Sequence, residues 1–313
     1  MGYELRKCLC NKTVILIILI FFVVNGLEAS YKSLYTEKVY DTTTTETYKD
    51  LIDEAFENID EGRDVYLSSI FIDRFYDRQI TAFVYDEEQV GYETEEVAFV
   101  NYETNAMYGL ILVAVIVIIS IDLERKTRMT QIISVTENRN GRVHLVKQLT
   151  IVIVVVAINT LMLIENIIVY KFVGDIDYGM KLYNIPGYRA TLFNGSILEY
   201  KIICTIGVCM IELILANIIY ILACFFKKNI YLIIGSIATY VVLNWMSGKV
   251  LYKNYPFTLF SFFESKKLVK DFIVVRIGNG YTYYLWIALV FLFVVMLIAN
   301  VCNYFMNKTR RSI

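Results

Sequence analysis

Six apolar runs punctuate the chain, at Thr13–Leu27, Ala106–Ile121, Leu149–Tyr170, Ile202–Phe226, Ile230–Gly248 and Leu285–Cys302. One helix needs roughly 20 predominantly apolar residues to span a bilayer core. Most of these runs are too long and too continuous for ordinary buried helices, and no soluble fold needs so many. The pattern predicts a mainly α, polytopic membrane protein with six transmembrane helices. The first run is the shortest, at 15 residues. Arg6, Lys7 and Lys12 precede it and Ala29 and Ser30 follow, so it also has the layout of a cleaved secretory signal. A retained first helix is the reading carried forward.

Between the first two runs the pattern changes. Leu51, Ile52, Ala55, Phe56 and Ile59 fall on one helical face, with acidic residues on the other. The stretches Val65–Tyr76, Gln79–Tyr85 and Val97–Tyr102 are rich in β-branched and aromatic residues with partial alternation. Residues 28–105 therefore read as a small α+β domain of one helix and about three strands. Residues 1–27 would be a terminus and first helix, and residues 106–313 a five-helix membrane region.

Charge sets the orientation. Glu28 to Glu103 holds twenty Asp and Glu against six Lys and Arg, within a chain whose net charge is −1. Basic residues cluster instead at the N-terminus, in the loop 122–147, at Lys227–Lys228, and at Lys308, Arg310 and Arg311. The positive-inside rule puts all of these in the cytoplasm, with both termini, and puts the acidic domain outside the cell membrane. The segment 249–284 is the exception. It should be external, yet it carries Lys253, Lys266, Lys267, Lys270 and Arg276 among Phe257, Phe260, Phe262 and Phe263. It reads as a re-entrant or interfacial helix at headgroup level.

Composition agrees, with 57% hydrophobic residues, 19% charged and a mean hydropathy of +0.52. Cys8 and Cys10 flank the first run and the other four cysteines fall inside apolar runs, so no disulfide staples the acidic domain. No phosphate-binding G-x-x-x-x-G-K-[ST] occurs, and Ser247-Gly248-Lys249 has only its tail. The single histidine, His144, reads as an exposed interfacial residue with no carboxylate-and-serine arrangement beside it. No metal site, nucleic-acid-binding pattern or catalytic constellation is expected.

The loop 122–147 is more informative. Met129, Ile132 and Ile133 form a short apolar stripe at helical spacing, and 137–141 is expected to break the helix before the next span. Such a helix lies on a membrane or enters a partner's groove. The loop resembles the coupling segment of type-2 ABC exporter permeases. The matching residues are Glu124, Met129, Gln131, Ile132, Ile133, Thr136, Gly141, Arg142 and Lys147, while Arg128 stands where that family often has glycine. The resemblance extends to the six-helix plan, with a large external segment after the first helix. It implies a permease that binds no cofactor itself and pairs with a second copy or homologue. Each permease would rest on a separate cytoplasmic ATPase that holds ATP and Mg. The loop residues from Met129 to Lys147 would contact that ATPase.

Ionisable residues within the spans mark pathway or helix-packing candidates. Glu212 lies mid-span and shares a face with Thr205, Cys209, Ala216 and Ala223. Glu165 lies near the outer end of its span, within reach of headgroups, and Asn159, Asn166 and Tyr170 form a neighbouring polar stripe. Two other readings stand beside the exporter. One is a sensor or assembly scaffold with a ligand-binding ectodomain. The other is a secondary transporter driven by an ion gradient through Glu212, for which no internal repeat is visible.

Overall fold

The computed structural model describes residues 11–34, 37–40, 90–93, 103–127, 140–182, 185, 188, 191, 193–226, 228–250, 274–277 and 280–311. The apolar runs become six helices. They are α1 (Lys12–Leu34), α2 (Glu103–Lys126), α3 (Asn140–Val173), α4 (Ile197–Phe225), α5 (Asn229–Val250) and α6 (Tyr284–Arg311). Two antiparallel strand pairs accompany them. β1 (Glu37–Tyr40) pairs with β2 (Val90–Glu93), and β3 (Val274–Ile277) with β4 (Gly280–Tyr283).

Among the described residues, α1, α2, α3, α4 and α6 are each long and apolar enough to cross a membrane. α4 is the centre of the bundle. In its most apolar stretch 67% of residues are buried, against 17% in α1 and in α6. α6 and α2 pack on α4, and α1 packs mainly on α3. The outer faces of α1 and α6 present Leu16, Leu19, Val23, Val290, Phe293 and Ile298. Continuous apolar faces of this kind call for an apolar solvent, consistent with a multi-pass membrane protein.

The helices reach further than the apolar runs. α1 has 23 residues, long enough to span, because Asn11 accepts a hydrogen bond from the Thr13 amide and polar residues extend its far end. α2 continues to Lys126 and α3 begins at Asn140, which shortens the connection between them to residues 127–139. Gly141 therefore lies inside the first turn of α3 rather than in a helix break. α4 opens on a capping box, in which the Ser196 hydroxyl and the Glu199 carboxylate each take the other's backbone amide. α3 closes at Gly174, whose amide donates to Tyr170 O. Asp175 then turns through the left-handed region at φ 49°, and the Ile176 amide also reaches Tyr170 O.

The connection from α3 to α4 folds over that end of the bundle. Ile176, Tyr178, Leu182, Ile185, Tyr188 and Phe193 are buried there, against Ile197, Tyr200 and Tyr284 among others. The Lys181 and Ser196 backbones bridge the base of this cap. In the segment 249–284 the structure departs from the expected interfacial helix at the two strands alone. α5 runs to Val250, and Val274–Ile277 pairs with Gly280–Tyr283, with Ile277 opposite Gly280. Backbone pairing there satisfies the amides that a helix would have satisfied internally. Residues 251–273 lie outside the described residues. Within residues 28–105 the β1–β2 pair is described, whereas the helix expected near Leu51–Ile59 and the three expected strands lie outside the described residues.

Candidate functional site

Glu212 is fully buried where α2, α3 and α4 meet. Its Oε2 accepts from Asn159 Nδ2 at 2.6 Å, and the same nitrogen also donates to Val155 O. Its Oε1 faces the backbone of Gly109 so closely that a Cβ there would collide with it. Asn159 Oδ1 lies 3.4 Å from that same Cβ position. Among the described residues neither Glu212 Oε1 nor Asn159 Oδ1 has a hydrogen-bond partner. The crossing thus carries two acceptors without donors, an expensive arrangement in an apolar interior. Thr205, on the same helix, does not join this group: its hydroxyl donates back to Lys201 O.

A second polar group ties α1 to α3. Asn25 Nδ2 donates to Glu165 Oε2 at 2.7 Å and to Asn166 Oδ1 at 3.3 Å. Gly26 makes room for it, since a Cβ there would stand 2.8 Å from Glu165 Oε1. Glu165 is thus turned onto α1 instead of reaching outward. Nearby, Tyr108 on α2 donates to Glu28 on α1 at 2.7 Å.

Lys201 is a buried charged residue that the apolar runs do not reveal, because it stands just outside one. It is 1% exposed, with its ammonium 5.9 Å from the centre of the Tyr170 ring. Tyr283 borders this region at the end of β4. Burial, the larger effect, pushes its hydroxyl above the ordinary tyrosine range, and its hydrogen bond with Thr191 acts the other way.

At the opposite end of the bundle, the last turns of α2 meet three neighbours. Glu124 pairs with Lys147 of α3 at 2.6 Å, both largely buried. Arg125 donates from Nη1 to Asn229 Oδ1 at 3.0 Å, and from Nη2 to Ala223 O at 3.0 Å and Phe226 O at 2.6 Å. These are carbonyls that the end of α4 leaves open. Asn229, at the start of α5, donates in turn to Asp122, which also pairs with Lys126. Deeper in, Asn217 Oδ1 on α4 accepts from Gln148 of α3 at 2.9 Å and Asn303 of α6 at 2.8 Å. His144 is half-buried rather than exposed. Its ring meets Tyr304 at 5.3 Å and its Nε2 lies 3.3 Å from Asn300 Oδ1, both on α6.

The structure brings Glu212 together with Asn159, and Glu165 with Asn166. Lys147 spends its ammonium on Glu124 within the chain. Met129, Gln131, Ile132, Ile133 and Thr136 lie outside the described residues. Gly141 and Arg142 are placed in the first turn of α3 by their backbone. Asn25, Gly109, Arg125, Lys201 and Asn217 were not singled out by the sequence. Arg125 and Asn217 carried a usable signal, as polar residues bordering or interrupting an apolar run. No family model, curated protein or solved structure matches the chain.

Proposed function

We propose that this chain is the membrane-spanning permease subunit of an ATP-driven exporter, with the segment 127–139 as its docking site for a separate cytoplasmic ATPase. Both chain termini lie in the cytoplasm on this reading, with the acidic domain outside. The observation that carries it is the polar anchoring beside that segment. α2 enters it from a turn bonded to α3, α4 and α5, and α3 leaves it through a helix that carries Lys147. A push arriving at the ends of α2 and α3 is then delivered to helices that also hold Glu212 and Asn159. The chain selects substrate and transmits force, a second copy or homologue completes the pathway, and ATP with Mg sits on the partner.

The test replaces Ile132 and Ile133 with Asp, putting charge into the apolar stripe at a cost of several kcal/mol if the contact is buried. The double variant is expected to insert normally and to lose the ATPase on purification in mild detergent. Undiminished binding by a correctly inserted double variant would remove the docking role.

Ion-driven transport through Glu212 is the second reading, favoured by the Oε1 atom that has no hydrogen-bond partner among the described residues. Substrate movement in ATP-free proteoliposomes, driven by a proton or sodium gradient and lost in Glu212→Gln, would select it over the exporter.

A further inference from the structure

Among the contacts at the end of α2, one residue reaches both neighbouring elements that do not adjoin the 127–139 segment in sequence. Arg125 is two residues from the start of the connection, and its guanidinium holds two carbonyls at the end of α4 and the side chain that opens α5. Asp122, one turn earlier, holds the same Asn229 from its other side. The end of α4 is thus fastened to α2, and Ala223 lies eleven residues beyond Glu212. That is about 16 Å along one continuous helix at 1.5 Å per residue.

A helix cap alone would need only one donor to the last carbonyls. Here the donor is planar and multidentate, on a different helix, and locked by a second hydrogen-bonded pair. A flexible lysine ammonium could not reproduce that fork. The Glu124–Lys147 pair fixes α2 to α3 in the same turn, so α2, α3, α4 and α5 share one fastening point.

We infer that Arg125 is the positioning residue that links the end of α2 to α4, and through α4 to the Glu212 crossing. This rests on the exporter reading for its purpose. Its mechanical content, that the Arg125 contact and the Glu212 crossing are energetically linked, does not depend on that reading.

The experiment makes Arg125→Gln, Arg125→Lys, Glu212→Gln and the Arg125→Gln/Glu212→Gln double variant in the full chain, in detergent and in complex with the ATPase. Linked sites give a double variant whose melting shift differs from the sum of the single shifts, whereas distant independent sites add. In the complex, the ratio of substrate-stimulated to basal ATP hydrolysis is expected to fall about fivefold or more in Arg125→Gln. Arg125→Lys should not rescue that ratio. If Arg125→Gln does not fold, Asn229→Ala takes its place in the cycle, because it removes both the acceptor of Arg125 and the donor to Asp122. Additive melting shifts overturn the inference, as does an unchanged hydrolysis ratio. A wild-type chain that purifies with no ATPase overturns the exporter reading instead, and the melting cycle still decides whether the two sites are linked.

Discussion

Glu212 has two oxygens in different surroundings, one held by Asn159 and the other pressed against Gly109 without a hydrogen-bond partner among the described residues. Glu212→Gln keeps the shape and can still accept from Asn159, so it is expected to stay folded and to alter substrate-stimulated ATP hydrolysis. Glu212→Leu leaves a buried amide short of its acceptor and should cost about 1–3 kcal/mol, read as a lower melting temperature. Wild-type stimulation in a stable Gln variant would leave Glu212 as a packing residue. Gly109→Ala tests the same crossing from the other side. It should destabilise by about 1–3 kcal/mol through overpacking. Adding Glu212→Ala should recover part of that loss, because the colliding oxygen is then gone. A Gly109→Ala protein that melts like the wild type would contradict this packing.

At the scale of elements, α1 shows what a short apolar run conceals. Thr13–Leu27 measures only the apolar residues, whereas the helix continues to Leu34 through Glu28, Ser30 and Lys32. Part of what secures those last turns is local, as Lys32 pairs with Glu28 four residues back at 2.7 Å. Asn25 then joins α1 to α3 through Glu165 and Asn166. Asn25→Ala should therefore weaken the bundle by about 1 kcal/mol, the usual worth of an interhelical side-chain hydrogen bond in a membrane. A melting temperature equal to the wild type's would show that α1 is held by apolar contact alone. The pairing of Val274–Ile277 with Gly280–Tyr283 has a signal in the sequence. Gly278-Asn279 between Val274-Val275 and Tyr281-Thr282-Tyr283 is a turn signal flanked by β-formers. The basic and aromatic residues preceding it favoured an interfacial helix for the whole segment.

For the whole molecule, the positions of the helices were readable because apolar runs of bilayer length leave few alternatives. The central place of α4 was partly readable from Glu212 and the small residues on its face. The partners of its polar residues were not. Which helix faces Glu212 depends on packing between segments more than fifty residues apart, and no local pattern encodes it. The fastening at the end of α2 was hidden for the same reason. Glu124 and Lys147 both belong to the loop motif, yet their mutual ion pair follows from the geometry of two helix ends. The central claim is that this assembly of helices works as the membrane half of an ATP-driven exporter. Purifying the tagged wild-type chain from its native membranes in mild detergent, and assaying ATP hydrolysis in the eluate, tests it most directly. The account predicts a stoichiometric nucleotide-binding subunit and vanadate-sensitive hydrolysis, both lost in the Ile132→Asp/Ile133→Asp variant. A wild-type chain that elutes intact, alone and without hydrolysis would contradict it.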